Sequence, residues 1–223
     1  MIAEDKPMKM SLAGILAWIA LPCATYAQAP TPAPATRAYV EAVAQSAFGN
    51  VTSQSFGGEL GITVLPSVQV FIEAGQVNNV ATAEIGAAAA KIGGYLSQAQ
   101  SNVGYAVKQP VTFGVAGVKL NIPASGRVLP YVLAGGGVAR VKQDVTFSVG
   151  GTDATGNLTP YGVVLGADLS GTFTKPMVVV GVGVMVPAGQ RLVFDIQYRY
   201  GRIFADGQGI DVSRAGLGFG VRF

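Results

Sequence analysis

The chain has 223 residues and a formal charge of +3, with 50% hydrophobic and only 12% charged residues, 31 glycines and no histidine. A water-facing surface carries roughly a quarter to a third charged residues, and a membrane-crossing helix needs about 20 apolar residues in a row; past its first thirty residues the sequence has neither. A closed β-barrel is the remaining way to pair every backbone polar group in so apolar a chain, and the scatter of Lys and Arg excludes a nucleic-acid footprint.

Residues 1–27 read as a secretory signal peptide. Lys6 and Lys9 form its positive start, Met10 to Leu21 its apolar stretch, and Ala27 is the residue expected before the cut. A lipoprotein leader acylated at Cys23 is disfavoured by Pro22 just before the cysteine and by Ala20 in place of leucine. Cys23 is the sole cysteine, so the mature chain can form no disulfide. Residues 28–37 hold Pro30, Pro32 and Pro34 and read as an extended periplasmic linker. The barrel is then expected over 38–223.

Successive side chains of a strand point to opposite faces, and most of the remaining chain alternates accordingly. The first strand, near Tyr39 to Phe48, puts Glu41 and Gln45 on its polar face. Phe56, Leu60, Ile62 and Val64 oppose Gly57, Glu59, Gly61 and Thr63; Val68, Val70 and Ile72 oppose Gln69, Phe71 and Glu73. A helix is predicted in the following loop, where Ile85, Ala88 or Ala89, Ile92 and Leu96 recur at helical spacing. Val111 to Ile122 is the least regular strand, because Phe113 and Val115 share parity with Lys119 and Asn121. Tyr131 to Val141 follows, with Arg140 and Lys142 on its polar side. Then Val178 to Val186 alternates with Gly181, Gly183 and Met185, and Leu192 to Tyr200 alternates with Asp195, Gln197 and Arg199. In the last strand Ala215, Leu217, Phe219, Val221 and Phe223 oppose Arg214, Gly216, Gly218, Gly220 and Arg222. Tyr39, Tyr131, Tyr198 and Tyr200 are expected in an aromatic girdle at the membrane interfaces.

These segments make eight strands. Three short, proline-bearing connections (65–67, 122–130, 187–189) alternate with others of which two are long, near 78–110 and 147–175. Short periplasmic turns and longer extracellular loops are the pattern of an outer-membrane barrel. The expectation is therefore an all-β, eight-stranded antiparallel transmembrane up-and-down β-barrel, with a short helix in the second extracellular loop. A soluble ligand-binding barrel would place the glycine-rich, sparsely charged face in water, for which it is poor cover; a narrow lumen suits it better. Glu41, Glu59, Glu73, Lys119, Arg140, Lys142, Asp195, Arg199, Arg214 and Arg222 are accordingly expected to form an ion-pair network inside, where an unpaired charge is costly.

Three stretches, Leu129 to Val141 (LPYVLAGGGVARV), Gly181 to Ile203 (GVGVMVPAGQRLVFDIQYRYGRI) and Ala215 to Phe223 (AGLGFGVRF), resemble small OmpA-type or opacity-type outer-membrane barrels. The resemblance covers about 39–223. It implies a bacterial outer-membrane location, outer-membrane lipid as surroundings, and the barrel-assembly machinery as a partner, with Phe223 as the terminal aromatic of its recognition signal and Phe219 and Val221 as alternating context. No peptidoglycan-binding segment follows Phe223, so the wall-anchoring role of two-domain relatives is not carried over.

Chemistry is sparse. Without histidine, Ser–His and Asp–His catalysis is excluded, as is a His- or Cys-ligated metal in the mature chain; no cofactor and no metal are expected. Asp153 to Asn157 has the outline of a calcium loop but lacks the later carboxylate. The inner carboxylates could serve as an acid/base pair, but nearby arginines would keep both ionised. The expected role is a non-enzymatic barrel for envelope integrity and surface display through its extracellular loops, whose ligand the sequence does not name. The alternative is a narrow small-solute channel lined by Arg and Lys.

Overall fold

The computed structural model describes residues 38–124, 128–205 and 209–223; the segments expected to be a signal peptide and a linker, with Ala27, lie outside the described residues. Eight strands close a barrel: β1 (Ala38–Phe48), β2 (Ser53–Leu65), β3 (Val68–Val77), β5 (Val111–Asn121), β6 (Leu129–Lys142), β9 (Thr172–Ala188), β10 (Leu192–Ile203) and β11 (Ile210–Arg222). Each pairs antiparallel with its neighbour, and β1 meets β11 at the seam. There Ala38 and Phe223 exchange backbone hydrogen bonds of 3.0 Å in both directions. Closure leaves no strand edge of the barrel unpaired, which is what so apolar a chain demands.

The outer face is apolar in the middle of every strand. Ile72 is 58% exposed and Leu217 62%, and the valine column Val178, Val180, Val182 lies outside with them. Such side chains have no water-facing explanation as a continuous belt. Phe194 packs on Phe219 across β10 and β11, ring centroids 5.1 Å apart. Tyr198 joins Phe48 on this surface, whereas Tyr39 and Tyr131 point inward, at 2% and 1% exposure. Those two do not belong to a girdle; each ring lies over the glycine opposite it, Gly61 on β2 for Tyr39 and Gly183 on β9 for Tyr131. A methyl group at either glycine would overlap the ring.

Strand β5 is regular despite its mixed parity. Val111, Phe113, Val115 and Lys119 all face inward, because the interior is itself layered. Toward the end carrying the long connections it is filled by Ala47, Val77, Val111, Val141, Met177, Ile203, Ile210 and Val212. Charges occupy the layers below. At the opposite end the chain turns tightly, and Gly189 takes the positive φ of 68° that the β9–β10 turn requires.

The two long connections fold together. Helix α1 (Ala83–Ser97) starts at Thr82, whose hydroxyl accepts from the Ile85 N–H, with Glu84 in its first turn. It packs beside a three-stranded sheet of β4 (Gly104–Lys108), β7 (Asp144–Val149) and β8 (Thr152–Asp153), with the short helix α2 (Ala167–Ser170) completing the cap. The cap has its own core of Ala81, Ile85, Ala89, Leu96, Val145, Phe147, Leu158 and Leu169.

Candidate functional site

Two regions carry the polar and exposed features that could act: the charged interior and the cap. Inside, pleat parity on each strand aims the charges at one another across the barrel. Glu59 on β2 accepts from Lys119 Nζ of β5 at 2.6 Å, from Arg199 Nη2 of β10 at 2.5 Å, and from the Tyr39 hydroxyl. Arg199 Nη1 also lies 2.5 Å from Oε2 of Glu73, an ion pair without hydrogen-bond alignment. Glu73 in turn accepts from Arg214 Nη1 at 2.9 Å. Lys119, Glu59, Arg199, Glu73 and Arg214 thus form one chain spanning the lumen, every member at most 1% exposed. Aromatic faces complete the cradle: Lys119 Nζ lies 4.3 Å from the Tyr131 ring centroid, and Arg214 lies 4.3 Å from that of Phe113.

Glu41 and Asp195 lie in the same interior but outside that chain. They flank the glycines of β11, both touching the space beside Gly218. Asp195 accepts from the Tyr131 hydroxyl at 2.6 Å; neither Glu41 oxygen has a hydrogen-bond partner among the described residues. Buried carboxylates therefore outnumber buried cations among the described residues: Glu41, Glu59, Glu73 and Asp195 against Lys119, Arg199 and Arg214.

Three residues expected in the lumen are elsewhere. Arg140 and Lys142 are exposed on the outside of β6, whose inward row is Tyr131, Leu133, Gly135, Gly137, Ala139 and Val141. They close that strand at the loop-bearing end, beyond the apolar belt, where a charge can face outward without entering hydrocarbon. Arg222 lies at the other rim. Its guanidinium donates to the carbonyls of Gly189, at 2.9 Å, and Gln190, at 3.2 Å, and staples the β9–β10 turn. The space around the interior network is filled. Arg199, Arg214, Tyr131, Phe71 and Lys119 are among the largest fully buried side chains, and the apolar layer of Val111, Val141 and Ile203 closes over them.

The cap is tied to the barrel by two residues that sequence reasoning passed over. The Gln109 backbone N–H donates to Asn79 Oδ1 at 2.9 Å, its side-chain oxygen accepts from the Thr82 N–H at 3.1 Å, and its carbonyl accepts from Val80. Gln109 is 3% exposed. The one hint in the sequence was a polar residue set directly before Pro110 at the start of a strand. On its outer side the cap presents the exposed rings of Tyr95 and Tyr105. A cleft of about 320 Å³ lies between the end of α1 and the turn at 159–161, lined by Tyr95, Gln98, Gln100, Pro160 and Tyr161 among others. In the β7–β8 region, the hydroxyl of Thr155 and its backbone N–H, 2.9 Å from Oδ1, hold the Asp153 carboxyl below the usual aspartate range. That geometry is a self-contained turn. Among the described residues no group of Asp, Glu, Cys or His is arranged to hold a metal ion.

Comparison with known proteins places this geometry. Residues 13–223 match the family described as outer membrane protein beta-barrel domain. No curated protein matches the chain. Among solved structures, Neisserial surface protein A is similar at 14% identity, with a TM-score of 0.51, over 83% of this chain and 96% of that one. The N-terminal barrel domain of Pseudomonas aeruginosa OprF is similar at 17% identity, with a TM-score of 0.46, over 83% and 96%. Ail, the attachment invasion locus protein of Yersinia pestis, is similar at 15% identity, with a TM-score of 0.45, over 83% and 97%. At these identities the likeness to Neisserial surface protein A is one of fold.

Proposed function

The chain belongs to the outer membrane protein β-barrel family and sits in the bacterial outer membrane, and from that premise we propose that it is a non-enzymatic anchor that supports the envelope and displays its cap to the outside. The observation that carries this reading is the contrast between the two ends of the molecule. The interior is filled by a cross-lumen ion-pair chain beneath an apolar layer, while the long loops spend their residues on a cored, tethered cap. A filled eight-stranded barrel has no room for a solvent path. A structure that only had to span the membrane would have no need of a second hydrophobic core above it.

The cleft beside Tyr95 and Tyr161 is the contact surface on this reading, since aromatic rings with neighbouring amides combine apolar area with hydrogen-bonding capacity. Phe219, Val221 and Phe223 are the assembly signal: all three point outward on the closing strand, with Phe223 70% exposed at the rim. The sequence has no histidine, the side chain most often used as a general acid or base, which supports a non-enzymatic role.

Planar-bilayer recording tests the anchor against the channel. The expected result is no steady opening for the wild type. Steady openings whose ion selectivity changes in Arg199→Ala or Arg214→Ala would establish a conducting lumen and reject the filled-anchor reading. Surface labelling of a cysteine placed at Tyr95 in whole cells tests the display: labelling without permeabilising the outer membrane is expected, and protection from the label would reject it.

A further inference from the structure

Glu41 is the buried carboxyl that the cross-lumen chain leaves out. It is 2% exposed, and neither of its oxygens has a hydrogen-bond partner among the described residues. On β1 it stands opposite Gly220 of β11 and Glu59 of β2, and its side chain leans over the glycine row of β11. A methyl group at Gly220 would lie 2.7 Å from Glu41 Cβ; one at Gly218 would lie 3.1 Å from Glu41 Oε2 and 3.2 Å from Asp195 Cβ. Asp195 of β10, opposite Gly218, thus closes the same niche from the other side. Its Oδ2 accepts from the Tyr131 hydroxyl at 2.6 Å, while its Oδ1 has no partner among the described residues. Gln45 and Gln197, both opposite Gly216, continue the niche, and each has a buried side-chain nitrogen in the same condition.

The charged and titratable groups around Glu41 are committed elsewhere. Lys119 of β5 pairs with Glu59, Arg199 of β10 with Glu59 and Glu73, and Arg214 of β11 with Glu73 of β3. The Tyr39 hydroxyl of β1 donates to Glu59, and the Tyr131 hydroxyl of β6 to Asp195. Among the described residues, four buried carboxyls therefore face three buried cations, a deficit of one positive charge. An unpaired ionised carboxylate in such an interior is costly, and a buried acid so placed takes up a proton instead. A metal ion would need a shell of several oxygen ligands, and no group of Asp, Glu, Cys or His among the described residues is arranged to supply one.

We propose that the glycine-lined niche is a single-proton site, in which Glu41 is the neutral acid and turns its O–H toward Asp195 Oδ1. The surroundings divide the two roles. Asp195 has a donor in Tyr131 and stays ionised, whereas nothing donates to Glu41. The glycines at 218 and 220 leave the space that the extra acid occupies. The folded barrel then holds a proton that the unfolded chain, with Glu41 in water, releases at neutral pH. Because the folded state binds more protons, its stability falls as pH rises, until the folded site gives up the proton as well. The site lies inside the barrel and is independent of what the cap contacts.

The test uses the barrel folded in lipid vesicles, with its glutamates carrying a heavy carbon isotope in the side-chain carboxyl. At neutral pH the infrared spectrum should contain the carbonyl stretch of a protonated glutamic acid, moved by the label and missing from Glu41→Gln. The labelled wild type gives this result by itself, so it stands even where the variant fails to fold. Urea unfolding, read from the boiling-dependent gel shift, should show the wild type losing about ten-fold in folding equilibrium constant per pH unit relative to Glu41→Gln. Replacing sodium by a large organic cation at constant ionic strength should leave the wild-type unfolding midpoint unchanged. The proposal is overturned if the labelled wild type shows no protonated glutamic acid or if Glu41→Gln keeps the wild-type pH slope. It is overturned equally if removing sodium destabilises the barrel, which would show that a metal ion neutralises the niche.

Discussion

Replacing Lys119 by Met removes the one lysine of the interior network and keeps nearly the same length of side chain. Lys119 Nζ donates to Glu59 at 2.6 Å and to the Tyr39 hydroxyl at 2.7 Å, with no solvent exposure. Its loss leaves the buried carboxylates Glu41, Glu59, Glu73 and Asp195 facing only Arg199 and Arg214. Removing one partner of a buried ion pair costs about 3–5 kcal/mol, because the remaining charge stays uncompensated. Glu59 still has Arg199 at 2.5 Å, which sets the expectation at the lower end. About 3 kcal/mol corresponds to roughly a 150-fold change in the folding equilibrium constant. Urea unfolding in lipid vesicles, followed by the fraction of protein in the fast-migrating unboiled gel band, measures it. The double variant Lys119→Met, Glu59→Gln should be more stable than Lys119→Met alone, since the stranded charge is gone. An unchanged unfolding midpoint in Lys119→Met, or a double variant that is worse than the single, would refute the reasoning that charge compensation holds this interior together.

Four further outcomes follow from the same structure. Arg202→Met breaks a pair whose side chains are 45% and 46% exposed, so the same urea assay should register less than about 1 kcal/mol; a loss as large as that for Lys119 would contradict the inside–outside distinction. Gly183→Ala drives a methyl group into the Tyr131 ring and hydroxyl and should cost about 1–3 kcal/mol, whereas Gly114→Ala, where a methyl meets nothing within 4 Å, should be close to neutral. Phe147→Ala empties the centre of the cap core, where the ring is 1% exposed; the expected loss of about 3–5 kcal/mol should appear as protease cleavage in 78–110 and 143–171 while the barrel's gel shift persists, and loss of both together would show that cap and barrel unfold as one. Asp153, held by Thr155, should titrate below the ordinary aspartate value of 3.8. Because its folded pKa is depressed, the turn's contribution is present above that value and is lost as pH falls through the lower, folded one; an NMR titration of the Thr155 amide reads the midpoint, and one at or above 3.8 would contradict the assignment.

The sequence by itself determined the barrel, because lipid outside and a narrow interior inside impose opposite chemistry on alternate residues. Val178, Val180 and Val182 against Gly181 and Gly183, or Phe219 and Val221 against Gly218 and Gly220, could be read without any knowledge of partners. The helix over 83–97 was legible for the same kind of reason, from the period of Ile85, Ala89 and Leu96. Polarity ceases to report the face once a strand leaves the hydrocarbon, so the pattern of β6 points Arg140 and Lys142, at its end, to the lumen although they face outward. Only the pairing with β5 and β9, with Tyr131 seated over Gly183, decides that they face outward. Inside, alternation indicated which charges share the lumen but not their partners. Arg199 and Arg214 reach Glu59 and Glu73 across the barrel, over distances in sequence that no local pattern encodes, whereas Glu41 and Asp195 are left beside the glycines of β11. The cap is the clearest case. Phe147, Leu158 and Leu169 lie far along the chain from Ile85 and Leu96, and the hydrophobic core they share exists only because closure of the barrel holds both loops at the same rim.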